Sequence, residues 1–194
     1  MGSRLSTPAL NASANTRRKF SHFNEKDLKK WESQFNQLFP TGYMTEKDMI
    51  TFMSRLFPFG QMYFASLLYK TINISNTGQI DFSELLIAYS ILKKGSVHEK
   101  LRWIFRLYDT DSDGVISKDE METVITHYME MSRPSTYVSP DSTLDSNNIC
   151  FDVPSFVDKI FKESQNESGF LSFDDFKLLA QKRMDILEMF EIFE

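Results

Sequence analysis

The feature that most constrains the fold is a spaced glycine. It follows turn-forming or polar residues and precedes an apolar residue two positions on, at Gly42 (Met44), Gly78 (Ile80), Gly114 (Ile116) and Gly169 (Leu171). The steps of 36, 36 and 55 residues describe four copies of a unit of about 36 residues, with extra chain between the last two. That extra chain is an insertion over 132–153, rich in Ser, Thr, Pro, Asp and Asn, and reads as a long loop. Helical periodicity flanks the glycines. Leu101, Ile104, Phe105 and Tyr108 recur at i, i+3, i+4, i+7 before Gly114, and Met121, Val124, Ile125, Tyr128 and Met129 do so after it. Leu28, Trp31, Phe35 and Leu38 before Gly42, and Phe156, Val157, Ile160 and Phe161 before Gly169, repeat the entering helix. Breaks at Pro58–Gly60 and Lys93–Ser96 separate the units.

The expected fold is therefore all-α: four helix–loop–helix units in two paired lobes, with short two-stranded bridges between paired loops. The residues two past each glycine would meet there, Met44 with Ile80 and Ile116 with Leu171. The expected divisions are an arm over 1–22, an N-terminal pair over 23–93, a linker over 94–97 and a C-terminal pair over 98–194.

Around Gly114 the chain runs Asp109-Thr-Asp111-Ser-Asp113-Gly114-Val115-Ile116-Ser117-Lys-Asp-Glu120. This fits the twelve-residue calcium loop of an EF-hand at every constrained position. A hard dication takes about seven oxygens, so carboxylates on alternating residues must converge and the glycine must allow the sharp turn. The expected ligands are Asp109, Asp111, Asp113, the Val115 carbonyl, Ser117 through a water and Glu120 with two oxygens. Because Glu120 lies in the exiting helix, binding would pull that helix and couple the ion to shape.

The other loops keep the frame and lose ligands. The second, 73–84, has Asn73, Ser75 and Thr77 where carboxylates should stand, followed by Asp81 and Glu84, and should bind calcium weakly or not at all. The fourth, 164–175, has Ser164, Asn166, Ser168, Ser172 and Asp175. Asp175 is one methylene shorter than Glu, so Mg2+ or an empty loop is expected there. In the first, 37–48, Phe39-Pro40 stands where a carboxylate is needed, and no ion is expected.

Charge is divided along the chain. Residues 1–30 hold seven Lys/Arg against two acidic residues, and the remainder fifteen against twenty-five. A basic arm on an acidic body argues against nucleic acid and favours an anionic membrane surface for the arm and basic partners for the body. The single Cys150 fits a reducing cytosol, where the sequons at Asn11, Asn73 and Asn166 carry no sugar. His22, His98 and His127 stand in three separate segments with no nucleophile–base spacing, so no catalytic activity is expected. Eighteen Phe and ten Met suit either a Phe-rich core or an adaptable groove.

Essentially from residue 20 onward the sequence resembles the neuronal calcium sensor family. The resemblance is carried by Lys30-Trp31…Phe35…Pro40-Thr-Gly42, by Phe57-Pro-Phe-Gly60, and by Gly95-Ser-Val-His-Glu-Lys-Leu-Arg-Trp103…Leu107-Tyr-Asp-Thr-Asp111. Val97 to Trp103 is similar to Kv-channel-interacting proteins, and the arm and first hand are similar to frequenin. The family's first hand is disabled by a Pro-x-Gly loop, as here, but its second and fourth hands usually include another working loop. The resemblance implies an apolar groove for an amphipathic target helix, formed by Trp31, Phe35, Met49, Phe52, Met53, Leu56, Leu85 and Tyr89. By spacing alone the same residues suit ordinary core. A stripe of Met184, Leu187, Phe190 and Phe193 in the final helix suits either capping that groove or packing on the C-terminal pair.

Met1-Gly2-Ser3-Arg4-Leu5-Ser6 fits the acceptor pattern for N-myristoylation at Gly2. One such chain anchors only marginally, and Arg17, Arg18 and Lys19 supply a second signal. The expectation is a cytosolic, peripherally membrane-associated calcium sensor that binds Ca2+ mainly at the third loop. It would regulate a channel or signalling enzyme through a target helix. A calcium buffer, and a constitutive EF-hand subunit with one structural ion, are the alternatives.

Overall fold

The computed structural model describes residues 23–56, 62–132, 152–164, 166 and 168–183. Gly2 and the arm, Pro58–Gly60, Cys150, nearly all of the insertion, and the stripe from Met184 to Phe193 lie outside the described residues.

Within them each glycine unit is a helix, a loop with a short strand, and a second helix. In chain order they are α1 (Glu25–Leu38), β1 (Tyr43–Met44) and α2 (Glu46–Leu56); α3 (Met62–Ile72), β2 (Ile80–Asp81) and α4 (Phe82–Lys94); α5 (Val97–Tyr108), β3 (Val115–Ser117) and α6 (Lys118–Ser132); α7 (Val153–Glu163), β4 (Phe170–Ser172) and α8 (Phe173–Lys182). All four loop glycines have φ between +72° and +92°, backbone that a Cβ disfavours, so the repeat seen in sequence is a repeat of one left-handed turn.

The exiting helices begin alike. Thr45, Asp81, Ser117 and Ser172 each cap the helix that follows, and the acid three residues on, Asp48, Glu84, Glu120 or Asp175, returns a bond to the capping residue's N–H. This reciprocal cap satisfies two helix-start donors at once. Ser96 and Glu99 start α5 in the same way.

The strands pair within hands one and two and within hands three and four, both antiparallel. Met44 faces Ile80, and Ile116 faces Leu171. Ile80, Ile116 and Leu171 are fully buried and Met44 nearly so, so each bridge also plugs the core beneath the paired loops.

The two pairs share one core. Only Gly95 and Ser96 separate α4 from α5, and a Cβ on Gly95 would collide with the Ile91 carbonyl. Helix α3 packs against α2 and α4 of its own pair and also against α5 and α6 of the other. It is buried around most of its circumference, through Phe64, Ala65, Leu67, Leu68, Tyr69 and Ile72. Phe64 meets Tyr128 at 6.2 Å and Tyr63 lies on His127 at 4.4 Å, ring centre to ring centre. At roughly 1.5–3 kcal/mol for each large apolar side chain buried, α3 is a substantial tie between the pairs.

Candidate metal centre and apolar groove

The third loop begins where α5 stops. Asp109 takes over from the helix, its N–H still bonded to the Phe105 carbonyl at 2.9 Å. Its side chain folds over the loop and its Oδ2 accepts from Gly114 N at 3.1 Å. Asp111 Oδ1 accepts from Asp113 N at 3.1 Å, and Asp113 Oδ1 from Val115 N at 2.9 Å. Ser112 at φ +64° supplies a further left-handed residue. These bonds wrap the chain around a point and leave carboxylate oxygens facing it.

Asp109, Asp111 and Glu120 each place an oxygen within 4.8 Å of the others. Asp113 is not in that group; its carboxylate turns to Val115 N. Ser117, expected to act through a water, is the N-cap of α6, and its hydroxyl donates to Glu120 Oε2 at 2.8 Å. Glu120 Oε1 accepts from Thr110 N and Oγ1 at 2.8 and 3.0 Å. The last ligand position thus closes the loop onto its own beginning.

Electrostatics separates the acids. Burial raises the Asp109 carboxyl above its ordinary value, Glu120 and Asp113 add to the rise, and the bond from Gly114 opposes it. Burial raises Glu120 too, but hydrogen bonds from Ser117 and Thr110 outweigh it and hold that carboxyl below its ordinary value. Asp109 Oδ1 is buried and accepts no hydrogen bond among the described residues. A buried, unpartnered carboxylate oxygen beside two other acids is a cost that a bound cation removes. The all-oxygen donor set fits calcium.

Residues 98–181 match the family model of the EF-hand domain pair. The third and fourth hands therefore form a calcium-binding regulatory module, and the all-α arrangement with short bridges is that of EF-hand lobes.

Within this EF-hand pair the fourth loop reaches the same geometry with one carboxylate, Asp175, at its ligand positions. Asn166 Nδ2 donates to the Phe170 carbonyl at 3.0 Å and to Asp175 Oδ2 at 2.8 Å, while its Oδ1 accepts from Ser168 N at 2.9 Å. That last bond fixes which way the amide points. Its NH2 thus bridges the seventh-position carbonyl and the twelfth-position acid, two groups that an ion would otherwise join. Asp175 is held below its ordinary value by the Ser172 hydroxyl and N–H and the Asn166 amide, against burial.

The second loop is closed likewise. Ser75 Oγ donates to Asn73 Oδ1 at 3.3 Å and lies 3.1 Å from Thr77 Oγ1, which donates to the Gln79 carbonyl. Glu84 is buried and accepts from Ser75 N at 2.8 Å. In the first loop the Thr45 N–H and hydroxyl hold Asp48, at 2.9 and 2.6 Å.

Of the groove residues, Trp31, Phe35, Met49, Phe52, Leu85 and Tyr89 line one apolar hollow of about 480 Å3. Met53 is not among its lining residues and packs, partly buried, against the core. The Leu56 side chain lies outside the described residues. Phe35 and Met49 form the buried floor, while Phe52 and Tyr89 stand 44% and 40% exposed at the rim. Gln34, Leu38, Phe39, Met44, Phe82 and Leu86 complete the lining. Sequence reasoning passed over Leu38 because a helix-end leucine beside an inactive loop looks like ordinary packing, yet it is 63% exposed. Phe23, Trp31 and Tyr89 form an aromatic cluster at one end, with ring centres 5.4 to 5.6 Å apart. His98 meets the edge of Phe173, and His127 lies between Tyr63 and Glu130. No described helix is long and apolar enough to cross a membrane.

Proposed function

We propose that this protein is a calcium sensor of the neuronal calcium sensor type. It binds Ca2+ mainly at the third loop, through Asp109, Asp111, Asp113, the Val115 carbonyl, Ser117 and Glu120. It regulates a membrane-associated target, a channel or signalling enzyme, by holding an amphipathic helix in the groove of the N-terminal pair. The observation that carries the reading is the convergence of Asp109, Asp111 and Glu120 around an unpartnered, buried Asp109 oxygen. Calcium at that point draws on Glu120, which belongs to α6, and α6 packs on α3. Movement there reaches the N-terminal pair through packed side chains. The hollow with its aromatic rim supports a helix as occupant, and the acidic body supports a basic one. Gly2, acylated and assisted by Arg17, Arg18 and Lys19, brings the protein to an anionic membrane.

The test is titration of the full chain with Ca2+, an apolar-surface dye and a synthetic amphipathic helix of Leu and Lys. A sensor shows calcium-dependent dye and peptide binding that Glu120→Gln abolishes. Peptide binding unchanged by Glu120→Gln, with calcium binding confirmed lost, makes the protein a constitutive subunit. Calcium binding with no dye or peptide response makes it a buffer.

A further inference from the structure

The third loop has a cationic neighbour that is not one of its ligands. Arg106 lies in the last turn of α5, three residues before Asp109 and hence on the same side of the chain. It is half-buried and lines a cleft of about 700 Å3 between the second and third hands, together with Lys70, Asp109 and Asp111. Among the described residues it makes no ion pair and no hydrogen bond. Burial works against its charge, and Asp109 is the acid that offsets this. A last-turn cation ordinarily serves the negative end of its helix, as the exposed Lys70 does for α3. Arg106 differs in being half-buried, without an ion pair among the described residues, and beside Asp109, whose Oδ1 accepts no hydrogen bond among them.

We infer that Arg106 is a built-in counter-cation of the third calcium loop, its fixed charge holding calcium affinity down. The guanidinium stays protonated throughout. With the loop's acids free it is attracted to Asp109. When a dication occupies them, repulsion between it and the guanidinium cancels part of that attraction, and this loss opposes binding. Asp109 offsets the guanidinium charge only in part, no carboxylate among the described residues forms an ion pair with it, and partial burial weakens screening by water and salt, so its field reaches the ion. The loop therefore binds calcium less tightly than its three aspartates and glutamate imply. This rests on calcium binding at the third loop.

The experiment measures calcium affinity of the full chain at low salt and at about 0.5 M salt. It compares wild type with Arg106→Gln, Arg106→Met, Arg106→Lys and Lys70→Gln. Arg106→Gln should bind calcium tighter by roughly three- to tenfold at low salt, with the ratio to wild type shrinking at high salt. Arg106→Met, which keeps the apolar stem, should do the same if the glutamine variant folds poorly. Arg106→Lys should restore wild-type affinity, and the exposed Lys70→Gln should change it less than Arg106→Gln. Unchanged or weaker affinity in natively folded Arg106→Gln or Arg106→Met overturns the inference, as does an Arg106→Lys variant that binds as tightly as the glutamine one. Glu120→Gln separates the two readings. If wild type has no Glu120-dependent calcium site, the functional proposal fails; if it has one that Arg106 does not modulate, only this inference fails.

Discussion

The third and fourth loops share a frame and differ in what fills it. Both hold a left-handed glycine, both start the next helix with a serine cap, and their strands pair residue for residue. In the third the centre is lined by acids, one with a buried oxygen lacking a partner. In the fourth an amide NH2 bridges the carbonyl and carboxylate that an ion would join. The turn thus comes from glycine and caps in both loops, and what differs is the charge gathered inside it.

The strongest way to break the comparison is to cut the strand that joins the loops. Leu171 is fully buried opposite Ile116. Leu171→Ala should destabilise the protein by about 2–5 kcal/mol in denaturant melts. Calcium affinity at the third loop should weaken with it, because the fourth loop supports the third through their paired strands. A variant that loses stability while keeping full calcium affinity would show that the loops act independently.

Glu120→Gln should weaken calcium binding by about a hundredfold in calorimetric titration. Glutamine can serve the helix cap with its one carbonyl oxygen, but its NH2 then faces the Thr110 donors, so the melt in chelator should fall by about 1–3 kcal/mol. A large loss of stability without calcium would make Glu120 chiefly a structural residue.

Asn166→Asp sharpens the contrast from the other side. It replaces the donor facing Phe170 O and Asp175 Oδ2 with an acceptor. In chelator this should cost about 1 kcal/mol, the low end of the penalty for unsatisfied polar groups, because the site is only part-buried. Calcium should restore part of that loss and raise the measured stoichiometry. An unchanged melt in chelator would mean that the amide bonds do not hold the loop.

Much of this was legible in the sequence because it rests on backbone constraints. Positive φ restricts Gly42, Gly78, Gly114 and Gly169, and the residue two places on is forced into the bridge. The fourth loop's loss of acids at its first ligand positions was legible too, but not the Asn166 bridge, since an amide offers both donor and acceptor and only the folded neighbours select one. The shared core was missed because α3 lacks a clear polar face; its run from Phe64 to Ile72 was itself the signal of a helix packed on several sides. The dual role of Ser117 and Glu120 was written as Ser-x-x-Glu, a capping pattern overlaid on a ligand pattern.

The smallest effect is the pH response, and its sign should differ between the loops. Asp175 is depressed below the ordinary value of 3.8 by Ser172 and Asn166. Its contribution to stability is therefore full above that value and lost as pH falls through the depressed one. Asp109 is raised above 3.8 by burial and by Glu120 and Asp113. Its charged form opposes folding at neutral pH, and protonation relieves that opposition as pH falls through the raised value. In chelator, Asp109→Asn should stabilise the protein at about pH 7, an effect gone once the pH falls to 3.8, and Asp175→Asn should destabilise it, an effect lost only below 3.8. Melts of the two variants across that range check it, and two shifts of the same sign would contradict the assignment. The opposition has a functional reading under the proposal: the loop proposed to bind calcium carries an acid strained without an ion, and the fourth has relieved that strain with the Asn166 amide N–H.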